Sequence, residues 1–200
     1  MRIDDWGLID YKEALDRQLA LVDAVQADPA NETIVICRHP PVVTLGRSTK
    51  PEDVFGWKGQ TYEIQRGGRA TYHGPNQLVV YPILDLSSRG RDLHGYLRAL
   101  ENLVIEVLRE FGLEGRREDG ATGVWVGERK LASIGVGIKK WVTYHGLALN
   151  VLNDPRAFQG INPCGFDAQT MISLQELARR DVTIEHVTAL LRPKLLAAFR

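Results

Sequence analysis

Cysteine is scarce in this chain, and the copies it has are far apart. The 200 residues include only two cysteines, Cys37 and Cys164. A single widely separated pair excludes a disulfide-rich scaffold and a zinc site built from closely spaced cysteines. Cys37 lies in the apolar, β-branched run TIVICRH, which predicts a buried cysteine that packs as a small hydrophobic residue. Cys164 lies in a different setting and needs another explanation.

The chain also lacks an excess of charge and a long apolar run. Its 25 basic and 25 acidic residues balance, so no overall field attracts nucleic acid or an anionic membrane. No stretch approaches the roughly 20 apolar residues that span a bilayer. The start, MRIDDWGLIDY, carries charges where a signal peptide would be apolar. We therefore expect a cytoplasmic protein with reduced thiols, and neither nucleic acid nor membrane as a partner.

Metal-binding patterns are missing as well. None of the five histidines stands in H-x-x-x-H or H-E-x-x-H spacing, so no metal site is predicted. His94 and His186 fall on predicted helices and read as surface or packing residues. His73 and His145 differ, because each precedes a glycine at a break between strand-like runs. Each could serve as a base or could only bond a backbone carbonyl.

Hydrophobic periodicity predicts one α+β domain over residues 1–200. Apolar residues at helical spacing predict helices over residues 11–28 and 92–111. Strands are predicted at residues 33–37, 41–46, 61–65, 77–84, 123–127, 130–141 and 143–151. This order favours a mostly antiparallel or mixed sheet with helices packed against one face.

The C-terminal third beyond Cys164 is predicted to be helical. Ser173 and Thr183 are the expected caps of two helices, and Pro193 is expected to break or kink the second one.

The polar loop TKPEDVFGWKGQ, much earlier in the chain, is expected to be exposed.

The segment RGGRATYHGPNQ, residues 66–77, has the most unusual composition. Its glycines allow backbone N–H groups to turn toward a ligand, and Arg66 and Arg69 could hold a carboxylate or phosphate. The segment matches neither the Walker phosphate loop nor the dinucleotide-binding G-x-G-x-x-G pattern. A wide β-turn with solvated arginines explains its composition about equally well.

The segment GINPCGF, residues 160–166, surrounds the second cysteine. Pro163 before Cys164 and Gly165 after it suit a held, accessible thiol, although a packed cysteine in a turn has the same neighbours. A reactive thiol needs a partner for its proton, and no basic residue lies nearby in sequence. The candidates elsewhere are His73, His145 and Lys130, and the pattern alone does not choose among them. A lysine at the start of a strand usually extends to water.

Three blocks taken together resemble a known family. They are RGGRATYHGPNQLVVYPILDL, GVWVGERKLASIGVGIKKWVTYHGLALNV and FQGINPCGF. Their order and content are similar to those of the octanoyltransferases of lipoate biosynthesis, the lipoyl(octanoyl) transferase family, which is related to the biotin and lipoate protein ligases. The resemblance covers essentially the whole chain. One departure is Asn76, where the family usually has glycine.

The resemblance implies a biotin/lipoate protein ligase-like fold and a two-step acyl transfer. Cys164 would take an octanoyl group from acyl carrier protein as a thioester and pass it to a lysine of a lipoyl domain, with Lys130 as its proton partner. The implied acceptors are the lipoyl domains of 2-oxoacid dehydrogenase E2 subunits and the glycine cleavage H protein. No cofactor or metal is implied. The implied substrate-binding residues are Arg66, Gly67, Gly68, Arg69, Ala70, Thr71, Tyr72, His73, Ser133, Ile134, Gly135, Gly146, Leu147 and Ala148.

Other functions remain open on the same residues. An ATP-dependent lipoate or biotin protein ligase would share the fold and would not need Cys164. A binding module for acyl carrier or lipoyl domains would need neither Cys164 nor Lys130. A thioesterase would use water in place of the acceptor amine.

Overall fold

A six-stranded mixed sheet forms the centre of the computed structural model, which describes residues 1–178 and 181–199. One edge strand runs parallel to its neighbour, and the other neighbouring strands pair antiparallel, so the sheet is mixed, as the sequence predicts. In spatial order the strands are β1 (Arg2–Leu8), β2 (Thr33–Arg38), β6 (Gln77–Ile83), β9 (Val142–Asn150), β8 (Arg129–Lys139) and β7 (Gly123–Val126).

A second sheet of three strands lies beside the first. β3 (Val42–Leu45) is its central strand and pairs in parallel with β4 (Gln60–Glu63) and antiparallel with β5 (Thr71–His73). β5 occupies the middle of the glycine-rich segment, which the sequence analysis treats as a loop between strands. Three residues are too few for a visible alternation of polar and apolar side chains, so β5 could not be predicted.

The described helices are α1 (Tyr11–Ala27), α2 (Leu93–Glu110), α3 (Leu174–Ala178) and α4 (Ile184–Phe199). The predicted caps are confirmed, since the side chains of Ser173 and Thr183 accept hydrogen bonds from the N–H groups of Glu176 and His186. None of the helices in the described ranges is long and apolar enough to cross a membrane.

Pro193 lies inside α4 and does not end it. The predicted break is wrong because the helix is anchored on both sides of the proline. Leu191, Leu195 and Phe199 are all buried in the main core, while Pro193 is exposed. Packing of this face outweighs the lost backbone hydrogen bond.

Helices cover both faces of the large sheet, so the expectation of helices on one face is wrong. Ile34 and Ile36 of β2 belong to the core that contains α2 and α4, whereas Val35 and Cys37 belong to the core that contains α1. The reason is visible in the run TIVIC. Every one of its residues is buried, and a strand that is apolar on both sides needs cover on both sides.

The polar loop between β3 and β4 is exposed at most positions, as predicted, but part of it packs against the segment before Cys164. Asp53 is fully buried, and Val54 forms a β-bridge with Ile161. The N–H groups of Phe55 and Gly56 both donate to the carbonyl of Gly160 at 3.0 Å. Residues 52–56 therefore lie along the segment that leads to Cys164.

Candidate active site

Cys164 lies in a short 3-10 turn, Pro163–Gly165, with a left-handed backbone of φ 56° and ψ 18°. Its N–H donates to the carbonyl of Ala70 at 2.8 Å, which joins the turn to the glycine-rich segment. The thiol is half-buried, and its Sγ lies 3.9 Å from Ser133 Oγ on β8. The cysteine lies in a turn, which both interpretations of its neighbours Pro163 and Gly165 require, and the fold brings the three sequence blocks together around it.

An ion pair anchors this turn. Arg69 donates from Nε to the carboxylate of Asp53 at 2.9 Å and makes a second, shorter bond from Nη2. The guanidinium lies directly against Gly165, where any Cβ atom would collide with it. Asp53 also accepts a backbone bond at its carbonyl from the N–H of Asn162, at 2.8 Å. The bidentate pair therefore fixes the position of the cysteine turn.

Asp53 is a site residue that the sequence analysis missed. Burial acts to raise the pKa of its carboxyl, but hydrogen bonds from Arg69 and from the Lys50 N–H outweigh burial and lower the pKa. The carboxylate therefore stays charged in its buried position. Nothing in the run KPEDV indicates this, because the partner arginine comes from another segment.

Lys130 begins the buried part of β8 and does not extend to water. Its side chain is only 1% exposed, and Nζ lies 5.5 Å from the ring centre of Trp125 and 5.6 Å from that of Phe166. Both rings lie within reach of Nζ, so the end of the side chain is enclosed by aromatic surface. Phe166 follows Cys164 by two residues, so the same turn carries the thiol and part of the lysine's surroundings.

Cys164 separates two cavities. The wider one, of about 410 Å³, is also lined by Lys130, Phe166 and Arg69. The narrower one, of about 40 Å³, extends between the glycine-rich segment, β8 and β9. The predicted binding residues that line the narrow cavity are Arg66, Gly68, Thr71, His73, Ser133, Ile134, Gly135, Gly146, Leu147 and Ala148. Three segments that are distant in sequence thus meet at one thiol.

Three of the other predicted binding residues lie apart from the narrow cavity. Gly67 lines the wider cavity, and Ala70 is buried and contributes the carbonyl that holds Cys164. Tyr72 lies on the opposite face of β5 from Thr71 and His73, because side chains alternate along a strand. It packs against Trp57 and Phe158 and lines a separate cavity of about 270 Å³.

Asn76, the departure from the family pattern, also lines that separate cavity. Its side chain donates to the carbonyl of Asn153 at 3.2 Å. Asn76 is not among the residues with positive φ, so the turn does not require glycine at this position.

Neither histidine of the narrow cavity carries a charge at neutral pH. Burial lowers the pKa of His145 to about 3 and holds the pKa of His73 well below its ordinary value. His73 Nδ1 bonds the side chain of Gln77 at 3.1 Å. Such weak bases are poor acceptors for a thiol proton. His94 and His186 are exposed, and no three His, Cys, Asp or Glu side chains of the described chain are grouped to hold a metal ion.

The geometry combines a half-buried thiol, a buried lysine in the same cavity and a narrow slot beside them. This arrangement suits acyl transfer through a thioester. The model of the lipoyl protein ligase A/B catalytic domain matches residues 10–196. The chain belongs to this family. The resemblance inferred from the three sequence blocks is therefore confirmed.

One relative is similar to this chain in sequence, and solved structures are similar to it in fold. An octanoyltransferase from Bdellovibrio bacteriovorus is 44% identical, over 96% of this chain and 95% of its own length. A lipoate-protein ligase A structure with bound ATP has a TM-score of 0.72 at 18% identity, over 98% of this chain and 84% of that one. Biotin protein ligase from Aquifex aeolicus has a TM-score of 0.56 at 12% identity, over all of this chain and 69% of its own. The predicted ligase-like fold is confirmed.

Proposed function

We propose that this chain transfers an octanoyl group from acyl carrier protein to a lysine of a lipoyl domain, through a thioester on Cys164. The observation that carries the proposal is that Cys164 and Lys130 line one cavity while Cys164 also borders the narrow slot. The sequence similarity to an octanoyltransferase supports the same activity.

In the first step the Cys164 thiolate attacks the carbonyl carbon of the octanoyl thioester. A bond from Sγ to the acyl carbon forms, the bond to the carrier's sulfur breaks, and the departing thiolate takes up a proton. In the second step the acceptor lysine amine attacks the same carbon and displaces Cys164. The nitrogen loses a proton, an amide forms and the thiol is restored. Thioester exchange is nearly balanced and amide formation is downhill, so neither step consumes ATP.

Lys130 is the proton carrier in this scheme. It receives the thiol proton of Cys164 before the first attack and returns a proton to the departing sulfur. Its position supports the role, since it opens onto the cavity that Cys164 lines and the other two candidates are neutral, weak bases.

The narrow cavity is the proposed slot for the octanoyl chain. Ile134, Leu147 and Ala148 give it apolar walls, and each buried CH₂ group contributes about 0.8 kcal/mol. The wider cavity, with Arg69 and Arg47 at its wall, is the proposed entry for the thioester arm of the carrier and later for the acceptor lysine. The lipoyl domains of 2-oxoacid dehydrogenase E2 subunits and the glycine cleavage H protein are the proposed acceptors.

Intact-protein mass spectrometry tests the proposal. Incubation with octanoyl–acyl carrier protein in the absence of ATP is expected to add one octanoyl group, and adding a lipoyl domain is expected to remove it. The adduct should be absent in Cys164→Ala and present in Cys37→Ala. No adduct, together with lipoyl-domain modification only when ATP and free octanoate are supplied, would instead establish a ligase.

A further inference from the structure

The two arginines of the RGGR segment differ in their charge partners. Arg69 is bound to the carboxylate of Asp53. Arg66 takes part in no ion pair formed among residues 1–178 and 181–199. Its guanidinium donates to three neutral oxygens, the carbonyls of Gly67 and Thr44 and the hydroxyl of Thr44, each at 2.9 Å. Arg66 is only 6% exposed, so it is a buried cation without a carboxylate to balance it.

Such a group is costly, because burial of an unpaired charge opposes folding. The chain nevertheless holds it in place with close-packed backbone. A Cβ atom at Gly46 would lie 2.7 Å from Arg66 Nη1, and one at Gly135 would lie 3.1 Å from its Cδ. The side chain therefore occupies space that is left by Gly46, just after β3, and by Gly135 of β8. This packing indicates a specific location for the positive charge rather than an accident of the surface.

Arg66 and Cys164 both line the narrow cavity. Burial lowers the pKa of the Arg66 guanidinium, and negative charge on Cys164 is the foremost influence that acts in the opposite direction. A guanidinium does not release its proton in proteins, so it cannot act as the base. It can supply only a fixed positive charge.

We propose that Arg66 is the fixed countercharge of the Cys164 thiolate. This role differs from that of Lys130, which moves the proton. It also differs from contact with the acyl chain. The inference rests on the proposed function insofar as Cys164 is the nucleophile. It explains why the arginine is buried without a carboxylate, since the missing negative charge is the thiolate itself. Arg66 acts on the reaction only through the thiolate of Cys164, so it is a positioning residue.

The test is the pH dependence of Cys164 alkylation by iodoacetamide, measured in a Cys37→Ala background so that one thiol reacts. Arg66→Met is expected to move the midpoint of the alkylation profile upward by about one pH unit and to slow alkylation at pH 7 by about 5- to 10-fold. Arg66→Lys keeps a charge and should restore most of the rate. A matched control is Arg89→Met, which removes an arginine paired with Glu32 at another place and should leave the midpoint unchanged.

A folded Arg66→Met variant with the parent's midpoint would overturn the countercharge. If that variant does not fold, the parent protein is tested by NMR. The ¹³Cζ resonance of Arg66 should shift with pH at the alkylation midpoint, and this shift should be absent in Cys164→Ser. A resonance that does not respond to Cys164 would equally overturn the role.

Alkylation requires no octanoyl donor, so the two proposals can fail separately. If Arg66→Met shows the expected upward shift of the alkylation midpoint but the parent transfers no acyl group, only the transferase function is rejected. Intact acyl transfer with an unshifted midpoint would reject only the role of Arg66.

Discussion

The two cysteines of this chain have opposite surroundings, and each lies near a nitrogen base. Cys37 is on β2 of the large sheet and is only 1% exposed, and its Sγ lies 3.6 Å from His39 Nε2. Cys164 is half-buried in a turn and borders two cavities. A neighbouring histidine often activates a thiol, yet the proposed chemistry uses Cys164, which has no histidine bonded to it among the described residues.

The difference lies in burial and in fixed charge. Burial is the main cause that raises the pKa of Cys37, with the charge of Asp5 adding to it. Burial also lowers the pKa of His39 to about 4, so the imidazole is neutral and bonds Tyr81 and the Ile9 carbonyl. Cys164 instead has lysine and arginine side chains around its cavities. A base beside a thiol is therefore insufficient when the same burial suppresses both charges.

The largest expected effect separates the two thiols directly. Cys164→Ala should reduce acyl transfer by about 10⁴-fold or more, because it removes the nucleophile. Cys37→Ala should leave the transfer rate unchanged and lower the free energy of unfolding by about 1–2 kcal/mol through the lost side-chain volume. Steady-state transfer to a lipoyl domain and urea unfolding measure the two outcomes. Equal losses of activity in both variants would contradict the comparison.

The next effect concerns the proton partner of Cys164. Lys130→Ala should reduce transfer by about 10²- to 10⁴-fold and slow Cys164 alkylation at neutral pH. The matched control is Lys139→Ala on the same strand, whose exposed side chain pairs with Asp23 and should not affect either rate. Alkylation kinetics that are the same in Lys130→Ala and the parent would remove Lys130 from its role.

A third prediction uses the buried neutral histidines, including the neighbour of Cys37. The pKa values of His39, His73 and His145 are lower in the folded chain than in the unfolded chain, so the unfolded chain binds more protons below pH 6.5. Their contribution to stability is complete above that pH and is lost as the pH falls toward the folded values. The three together should lower the free energy of unfolding by about 2 kcal/mol between pH 7.5 and 6.

Urea unfolding at several pH values measures this slope. His94→Gln, which changes an exposed histidine, should leave the slope unchanged. His39→Gln should make it shallower, whatever its effect on stability at neutral pH. A flat profile between pH 7.5 and 6 would show that these imidazoles titrate alike in the folded and unfolded chains, and would contradict the prediction.

The smallest effect concerns the anchor of the reactive turn. Asp53→Asn keeps the shape of the side chain but removes the charge that holds Arg69 against Gly165. We expect about a 3- to 10-fold loss of transfer, with Cys164 alkylation still saturating at high pH, because the thiol is present but less well placed. Glu52→Gln is the control, since Glu52 is exposed and its Oε1 lies 4.0 Å from Arg69 Nη2, farther than the carboxylate of Asp53. If Asp53→Asn transfers the acyl group as fast as the parent, the turn around Cys164 does not depend on the ion pair for its position.

Much of the site could be predicted from the sequence, because the site is built from short segments with unusual composition. RGGRATYHG, KLASIG and HGLALN supply the residues that meet at Cys164, and the cysteine itself stands in an unusual turn. The long amphipathic helices were predictable for a similar reason, since each carries its own periodic signal.

What could not be predicted depends on contacts between distant segments. The pairing of Asp53 with Arg69 joins two loops that have no pattern in common. The edge strand β1 has no buried position and is defined by its pairing with β2. The second helical layer follows from apolar residues on both faces of β2. In the sequence these residues form a hydrophobic run, and the run alone does not show what covers each face. Tertiary packing decides all three.

The alternation along β5 has a consequence for the length of the glycine-rich segment. Thr71 and His73 face the slot and Tyr72 faces the other way, and Ala70 just before them holds Cys164. Adding or removing one residue between Arg66 and Thr71 would exchange the two faces, so that the phenol ring of Tyr72 would fill the space proposed for the acyl chain. The segment therefore tolerates changes of residue type better than changes of length, and the spacing from arginine to histidine is the property that homologues and engineered variants have to keep.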